Sequence, residues 1–127
     1  MFTFFKDYHF AAAHAIRGHT RGCQNLHGHN YRVRVHVGSE KLDELGMVID
    51  FADLKTILNE VLGRFDHAVI NDFPPFDAER NTTAEELSRF TFEEVAARLD
   101  DHLVVRKVEV WENDTACAVY EPPLPTP

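Results

Sequence analysis

The first third of the chain contains two stretches in which apolar and polar residues alternate. In the first, residues 2–13, apolar side chains recur at one parity, although Lys6 interrupts them: Phe2, Phe4, Tyr8 and Phe10. Tyr31 to Val37 alternates without interruption between apolar residues and arginine or histidine. Because successive side chains of a strand point to opposite faces, both stretches are predicted to be strands. Residues 17–28 between them show no period and are predicted to form a loop, and loops of that length are usually functional or disordered.

Two helices are predicted in the middle of the chain. Apolar residues spaced three and four positions apart between Leu54 and Phe65 form a stripe on one helical face, and Asp50 can cap that helix. A second helix, with a less regular stripe, is predicted to run to about Leu99. Its candidate N-caps, each followed three residues later by a glutamate that would complete a capping box, are Thr82 and Thr83.

The last part of the chain predicts a β-hairpin. Val104 to Glu112 is rich in valine, Ala116 to Tyr120 is short and apolar, and Asn113-Asp114 lies between them. The full order is therefore strand, strand, helix, helix, strand, strand. This order favours an α+β fold in which four antiparallel strands form a sheet and both helices cover one face. We expect residues 1–127 to form a single domain, because that length is typical of one domain.

Composition narrows the partners that the protein can have. Of the 127 residues, 44% are hydrophobic and 27% are charged, which is ordinary for a globular protein. The formal net charge of −8 makes nucleic acid a poor partner, because phosphate backbones are repelled at long range. No apolar run approaches the roughly 20 residues of a membrane span, and the N-terminus lacks the features of a secretory signal. Since two cysteines are too few for a disulfide framework, we expect a cytoplasmic protein.

Histidines are concentrated near the N-terminus, where five of the eight lie between His9 and His29. His27 and His29 flank a glycine directly before the second strand, and residues two apart in a strand point the same way. If the first two strands pair as a hairpin, His14 at the end of the first can supply a third imidazole. Three neutral imidazoles with an open fourth position are typical of a catalytic zinc site. The alternative at this point is three unrelated histidines on a loop and two strand ends.

The two cysteines receive different interpretations. Cys23 lies in the predicted loop, four residues before His27. Its thiolate could be a fourth zinc ligand, which would close the site, or it could be a base or nucleophile beside the metal. Cys117 lies in a short apolar strand and is predicted to be a buried, inert core residue.

Three further residues are candidates for proton transfer or binding. Asp66 and His67 follow the first helix, and an aspartate near a histidine commonly orients the imidazole or stabilises its charged form. Because the two are adjacent, we expect them to act on a shared neighbour rather than on each other, unless they are only a polar helix terminus. Glu112, at the rim of an apolar strand face, could bind a guanidine-like ligand edge through both oxygens, or could simply be a charged strand end.

Several motifs together resemble one known family. They are Phe10–His14, Cys23–Tyr31, Gly46–Lys55 and Phe65–Asp72. On these motifs the chain resembles the 6-pyruvoyl-tetrahydropterin synthase family, and within it the 6-carboxy-tetrahydropterin synthases of queuosine biosynthesis. The resemblance extends from about Phe4 to Tyr120, and its motifs are specific jointly rather than singly.

The resemblance implies the tunnelling fold, in which two helices cover a four-stranded antiparallel sheet. It also implies a homo-oligomer, a trimeric barrel or a dimer of two such trimers. It implies zinc bound by three histidines, His14, His27 and His29. Cys23 would be a general base, Asp66 and His67 would assist in proton transfer, and Glu112 would anchor a pterin ring.

Details within the motifs favour the carboxy branch of the family. Three residues separate Cys23 from the histidine pair, as is usual there. Residues 81–85 look like a segment of that branch in which Thr82 replaces proline, and residues 111–115 look like another in which Asn113 replaces threonine. The resemblance therefore implies further substrate contacts from Thr83 and Thr115.

The implied reaction converts 7,8-dihydroneopterin triphosphate into 6-carboxy-5,6,7,8-tetrahydropterin, acetaldehyde and triphosphate. One alternative keeps the fold and the metal but stops at the 6-pyruvoyl product, so that no acetaldehyde is released. A more remote alternative is a non-catalytic module that binds zinc or a pterin, in which Cys23 would complete a closed site.

Overall fold

A five-stranded sheet forms one layer of the protein in a computed structural model, which describes residues 1–123. The strands and helices are β1 Phe2–His14, β2 His27–Ser39, α1 Phe51–Leu62, β3 Ala68–Val69, α2 Ala84–Ala96, β4 Val104–Asn113 and β5 Ala116–Tyr120. Single 3-10 turns occupy Gly63–Phe65 and Ile70–Asp72. The spatial order of the strands is β3-β1-β2-β4-β5.

The predicted α+β architecture is confirmed, but the expected number of four strands is one too low within residues 1–123. β1, β2, β4 and β5 are antiparallel neighbours as predicted. The added strand, β3, is only two residues long and runs parallel to Ala12 and Ala13 of β1. Two residues carry no recognisable period, so this strand is defined by the backbone of β1 against which it lies.

The helix starts are confirmed and the end of α2 is not. The Asp50 side chain accepts a hydrogen bond from the amide of Ala52 at 2.8 Å and caps α1. Thr83, rather than Thr82, is the N-cap of α2, and its hydroxyl accepts from the Glu86 amide at 3.1 Å. α2 ends at Ala96 rather than near Leu99, because the chain tightens there into 3-10-type hydrogen bonding before it turns into β4.

The hydrophobic core lies between the helices and one face of the sheet. Alternate strand residues supply the sheet side and are almost fully buried: Phe10, Tyr31, Val33, Val35, Val108 and Val110. Helix residues close it from above, among them Leu54, Leu58 and Leu87. Phe65 lies at the centre of an aromatic cluster, with its ring centroid between 5.7 and 6.2 Å from those of Phe10, Phe73, Phe76 and Phe90.

The opposite face of the sheet is polar, and its side chains are linked by hydrogen bonds between neighbouring strands. Arg34 donates two hydrogen bonds to the Asp7 carboxylate, at 2.8 and 3.1 Å. His36 forms a short hydrogen bond of 2.5 Å with Glu109 on the neighbouring strand. The prediction that Cys117 is a buried core residue is wrong, because it lies exposed on the edge strand β5. No helix in residues 1–123 is long and apolar enough to cross a membrane.

Candidate metal centre and adjacent pocket

Strand pairing brings three histidines together at one end of the sheet. In the β1–β2 register His14 lies opposite His27, and Ala12 lies opposite His29. All three imidazoles therefore project from the face that packs against the helices, at the end of the core. Their ring centroids are 4.6, 5.0 and 4.9 Å apart, and one potential ligand atom from each lies within 4.8 Å of the others.

Backbone carbonyls select the tautomers of two of these rings. The Nδ1 atom of His14 lies 2.7 Å from the carbonyl oxygen of Thr82, and the Nδ1 atom of His27 lies 2.7 Å from that of Asn25. A carbonyl only accepts hydrogen bonds, so each Nδ1 must carry the proton. The Nε2 atom of each ring is then left with its lone pair, which is the form that coordinates a metal.

Burial favours the neutral form of two imidazoles of this cluster, those of His14 and His29. Burial lowers the pKa of His14, although the Thr82 carbonyl opposes the shift, and burial likewise lowers the pKa of His29 against the opposing charge of Glu112. The Nε2 atoms of His14 and His29 are buried and have no hydrogen-bond partner among the described residues. Buried nitrogens with converging lone pairs fit a divalent metal that favours imidazole ligands, and the three histidines can hold such an ion.

A small pocket adjoins the cluster on the side of Glu112. One carboxylate oxygen of Glu112 is 3.7 Å from Nε2 of His29. A cavity of about 180 Å³ is lined by this glutamate, by Ala84 and Glu85 at the start of α2, and by residues 116–118 of β5. The pocket therefore joins a carboxylate to a helix N-terminus, next to the candidate metal ligands.

The two threonines predicted to bind substrate lie near this pocket, but their hydroxyls have partners. The Thr83 hydroxyl accepts the capping bond from Glu86, as described above. Thr115 is exposed in the β4–β5 turn, and its hydroxyl donates to the side chain of Asn113 at 3.0 Å. Neither threonine lines the 180 Å³ cavity directly.

Cys23 lies outside the metal cluster. It is half-buried in the loop between β1 and β2, and its carbonyl accepts a hydrogen bond from the Ile16 amide at 2.8 Å. Its sulfur does not belong to the set of ligand atoms within 4.8 Å of one another. The described geometry thus provides three candidate ligands, all imidazoles, and separates the thiol from them.

Asp66 and His67 do pair with each other, contrary to the expectation for adjacent residues. The Nδ1 atom of His67 is 3.0 Å from Oδ1 of Asp66. This contact is possible because His67 has φ of 58°, a left-handed backbone that folds its side chain back. The Ala11 amide donates to the Asp66 carboxylate at 3.0 Å, and this bond, together with that from His67, lowers the pKa of Asp66. The pair is anchored on Ala11 of β1 and does not belong to the set of converging ligand atoms, although His67 and His29 line one cavity of about 470 Å³.

Thr82 has no predicted role in the site, yet its carbonyl orients His14. Because a backbone carbonyl does not depend on residue type, the only sequence signal for this role is the position of Thr82 within the 81–85 motif.

The family described as 6-pyruvoyl tetrahydropterin synthase matches residues 3–123. This chain belongs to that family. The matched range covers nearly the whole chain, and the three histidines, the Asp66–His67 pair and Glu112 lie within it.

Relatives and solved structures of the family agree in length and fold. A 6-carboxy-5,6,7,8-tetrahydropterin synthase from Haemophilus influenzae is 34% identical over 142 residues, covering 95% of this chain and 99% of that protein. One of the same name from Synechocystis is 34% identical and covers 100% and 98%. The structure of Caenorhabditis elegans 6-pyruvoyl tetrahydropterin synthase superposes with a TM-score of 0.84 at 27% identity, covering 96% of each chain. The tunnelling fold is thereby confirmed.

Proposed function

We propose that this protein is a zinc-dependent 6-carboxy-5,6,7,8-tetrahydropterin synthase, a carbon–carbon lyase of queuosine and 7-deazapurine biosynthesis in the cytoplasm. The observation that carries the proposal is the cluster of His14, His27 and His29 beside the pocket of Glu112. The names of the relatives in Haemophilus influenzae and Synechocystis support the carboxy branch. Residues 1–127 would act as one domain, which a single core cluster in the described part supports.

The reaction would start from 7,8-dihydroneopterin triphosphate and consume one water. Its products would be 6-carboxy-5,6,7,8-tetrahydropterin, acetaldehyde and triphosphate. The pterin ring gains two hydrogens while the side chain is oxidised and cleaved, so no external reductant or oxidant is required. The protein must therefore bind the flat pterin ring and move protons on the side chain of the substrate.

Zinc would be held by Nε2 of His14 and His27 together with His29, whose neutral state at pH 7 is favoured by burial. Bound there, zinc would supply Lewis acidity that makes protons on neighbouring hydroxyl-bearing carbons easier to remove. Three imidazoles leave a coordination position for substrate, which suits a catalytic rather than a structural site.

Pterin binding is assigned to the pocket beside His29. The Glu112 carboxylate can accept two hydrogen bonds from the guanidine-like edge of a pterin, which is a planar and specific interaction. The start of α2 offers backbone amides at the same pocket, with Thr83 as its N-cap, and Thr115 lies in the turn that follows Glu112. These threonines would contribute through their position on the pocket rim.

Proton transfer is assigned to Cys23, Asp66 and His67. The Cys23 thiolate would abstract and return protons, which its separation from the histidine ligands supports. Asp66 would polarise His67, which would act as the partner acid and whose side chain is 83% exposed. Because the pair does not belong to the converging ligand set, groups from a neighbouring subunit could also contribute to the site.

A homo-oligomer, a trimer or a dimer of trimers, is part of the proposal. β3 covers only Ala12 and Ala13 of β1, so residues 2–10 have no strand beside them on that side in the described chain. The outer side of β5 has none either. Open edges on both sides of a twisted sheet allow copies to continue it into a barrel.

The test is a single incubation of the zinc-loaded protein with 7,8-dihydroneopterin triphosphate, followed by mass spectrometry. We expect acetaldehyde together with the mass of 6-carboxytetrahydropterin. The mass of 6-pyruvoyl-tetrahydropterin without acetaldehyde would reassign the protein to the sister activity. Unchanged substrate in the presence of bound zinc would instead favour a non-catalytic module.

Two variants separate the metal site from the base. Cys23→Ala should retain zinc and lose turnover, whereas His27→Ala should lose both. His102→Ala is the matched control, because His102 is exposed in the turn before β4 and should retain zinc and activity. Loss of zinc in Cys23→Ala would make Cys23 a ligand and refute its role as a base.

A further inference from the structure

Two asparagine side chains bind the backbone directly after His14 in the same way. The Asn71 carboxamide accepts a hydrogen bond from the Ala15 amide at 2.9 Å and donates one to the Ala15 carbonyl at 2.9 Å. The Asn81 carboxamide accepts from the Arg17 amide at 3.0 Å and donates to the Arg17 carbonyl at 2.8 Å. Each carboxamide therefore satisfies both backbone groups of one residue, as a neighbouring strand would.

The same contacts lead to the His14 ring through Thr82. Oδ1 of Asn81 also accepts from the Thr82 amide at 3.0 Å, and the Thr82 hydroxyl donates to the Ala15 carbonyl at 3.0 Å. The carbonyl of Thr82 then accepts from Nδ1 of His14. Residues 81 and 82 are thus bonded both to the His14 ring and to the chain that follows His14, so the ring is held relative to its own backbone.

The side chain of Arg17 adds further hydrogen bonds between residues 15–17 and the segment before α2. The Arg17 guanidinium donates to the carbonyls of Phe76 at 2.8 Å and Arg80 at 2.5 Å. The segment before α2 is therefore bonded at several points to residues 15–17. His14 is the last residue of β1, and the residues directly after it have no strand pairing. These hydrogen bonds therefore hold the chain where strand pairing ends.

We propose that Asn71 and Asn81 are positioning residues, which fix His14 for metal binding by pairing with the backbone of residues 15 and 17. The inference rests on the proposed metal centre. It adds to that centre a requirement located more than 50 residues along the chain from His14. Neither asparagine belongs to the candidate ligand set; both would act through the direction of Nε2 of His14.

The chemistry demands a carboxamide rather than a carboxylate. Asparagine presents one acceptor and one donor to an amide and a carbonyl, whereas aspartate presents acceptors only. In Asn81→Asp an oxygen would face the Arg17 carbonyl oxygen where a donor is required. The added negative charge by itself would attract a divalent cation, so a loss of affinity has the opposite sign to the electrostatic effect.

The experiment compares zinc dissociation constants of the zinc-free protein and its Asn71→Asp and Asn81→Asp variants, by competition with a chromophoric chelator. We expect each variant to bind zinc about 10–100-fold more weakly, as is usual when an outer-shell partner of a ligand is lost. Asn59→Asp is the matched control. The Asn59 oxygen only accepts, from the Tyr8 hydroxyl at 2.6 Å, so an aspartate preserves that bond and zinc affinity should stay within about twofold of wild type.

A spectroscopic measurement distinguishes positioning from general loss of structure. The ¹⁵N shifts of the His14 ring in the zinc-free protein should report a proton on Nδ1 in the wild type and a mixture of tautomers in Asn81→Asp. If Asn81→Asp fails to fold, Thr82→Val provides the second test. That variant keeps the shape of a nearly fully buried side chain and removes its bond to the Ala15 carbonyl, and should weaken zinc binding severalfold.

Three outcomes are informative. Weaker zinc binding with a mixed His14 tautomer supports the inference. Wild-type zinc affinity in both aspartate variants refutes it, while the metal centre itself stands. Failure of the wild-type protein to bind zinc refutes the proposed metal centre, and the inference with it.

Discussion

The left-handed backbone of His67 predicts that His67→Gly and His67→Ala will differ in stability, although both should lose turnover. At φ of 58° a residue with a Cβ atom is strained by about 1–2 kcal/mol. Glycine avoids this strain but loses about 0.5–1 kcal/mol of backbone entropy relative to alanine. His67→Gly should therefore be more stable than His67→Ala, by up to about 1.5 kcal/mol. Both variants lack the imidazole, so the loss of the contact with Asp66 cancels between them, and both should lose turnover.

The assay is urea unfolding of the zinc-free variants at one protein concentration, because metal and self-association would shift the apparent stability. Midpoints at a shared slope give the difference more reliably than extrapolated free energies. Gly63 supplies a control in the same connection. It has φ of −60°, and an added Cβ would lie 3.8 Å from the Tyr8 hydroxyl, an ordinary contact. Gly63→Ala should therefore stabilise the protein by about 0.4–1 kcal/mol.

The opposite order at position 67 would refute the reasoning. If His67→Ala were the more stable variant, the backbone at this position would not be held left-handed in solution. The 3.0 Å approach of His67 to Asp66 would then lose its structural basis. Turnover retained by either variant would separately refute the role of the His67 imidazole in proton transfer.

Three further predictions concern the core and the ionisable groups. Leu58→Ala should cost about 2–5 kcal/mol in chemical denaturation, because Leu58 is fully buried, and a cost below about 1 kcal/mol would contradict that burial. The pKa values of His14 and His29 are lowered in the folded protein, so the unfolded chain binds more protons. The thermal stability of the zinc-free protein should therefore fall as the pH drops below about 6.5. A melting temperature that does not change with pH in this range would contradict the prediction. The hydrogen bonds from Arg34 lower the pKa of Asp7, so this pair stabilises the fold above about pH 4 and is lost in acid. Asp7→Asn should accordingly cost about 1 kcal/mol at pH 7 and much less in acid, where the wild-type carboxylate is protonated. Unfolding curves of both proteins at pH 7 and well below about pH 4 would show this difference.

Features encoded by near neighbours in the chain could be predicted from the sequence. Asp50 and Thr83 cap their helices because a short polar side chain reaches an amide two or three residues away. The histidine cluster could also be predicted from the sequence, because strand parity and a hairpin pairing place His14 opposite His27. Both kinds of inference require only local geometry and one long-range pairing.

Features created by tertiary contacts could not be predicted in this way. The two residues of β3 have no pattern of their own and are strand only because they lie beside β1. Cys117 belongs to an apolar run, but the run forms an edge strand, and composition does not distinguish its covered face from its exposed one. The left-handed His67 likewise depends on the bond between its amide and the Ala11 carbonyl, 56 positions earlier.

The β1–β2 register also has a consequence for how such a protein can diverge. The positions of His14, His27 and His29 relative to one another are determined by thirteen paired positions along two strands and not by the loop that joins them. Residues 18–24 at the tip of that loop can therefore lengthen, shorten or change sequence without moving the ligand triangle, as long as the Asn25 carbonyl still reaches Nδ1 of His27. Cys23 lies in this part of the loop. Selection can thus exchange or relocate the reactive side chain on one loop while metal affinity is inherited unchanged, which separates the evolution of the reaction from the evolution of the metal site.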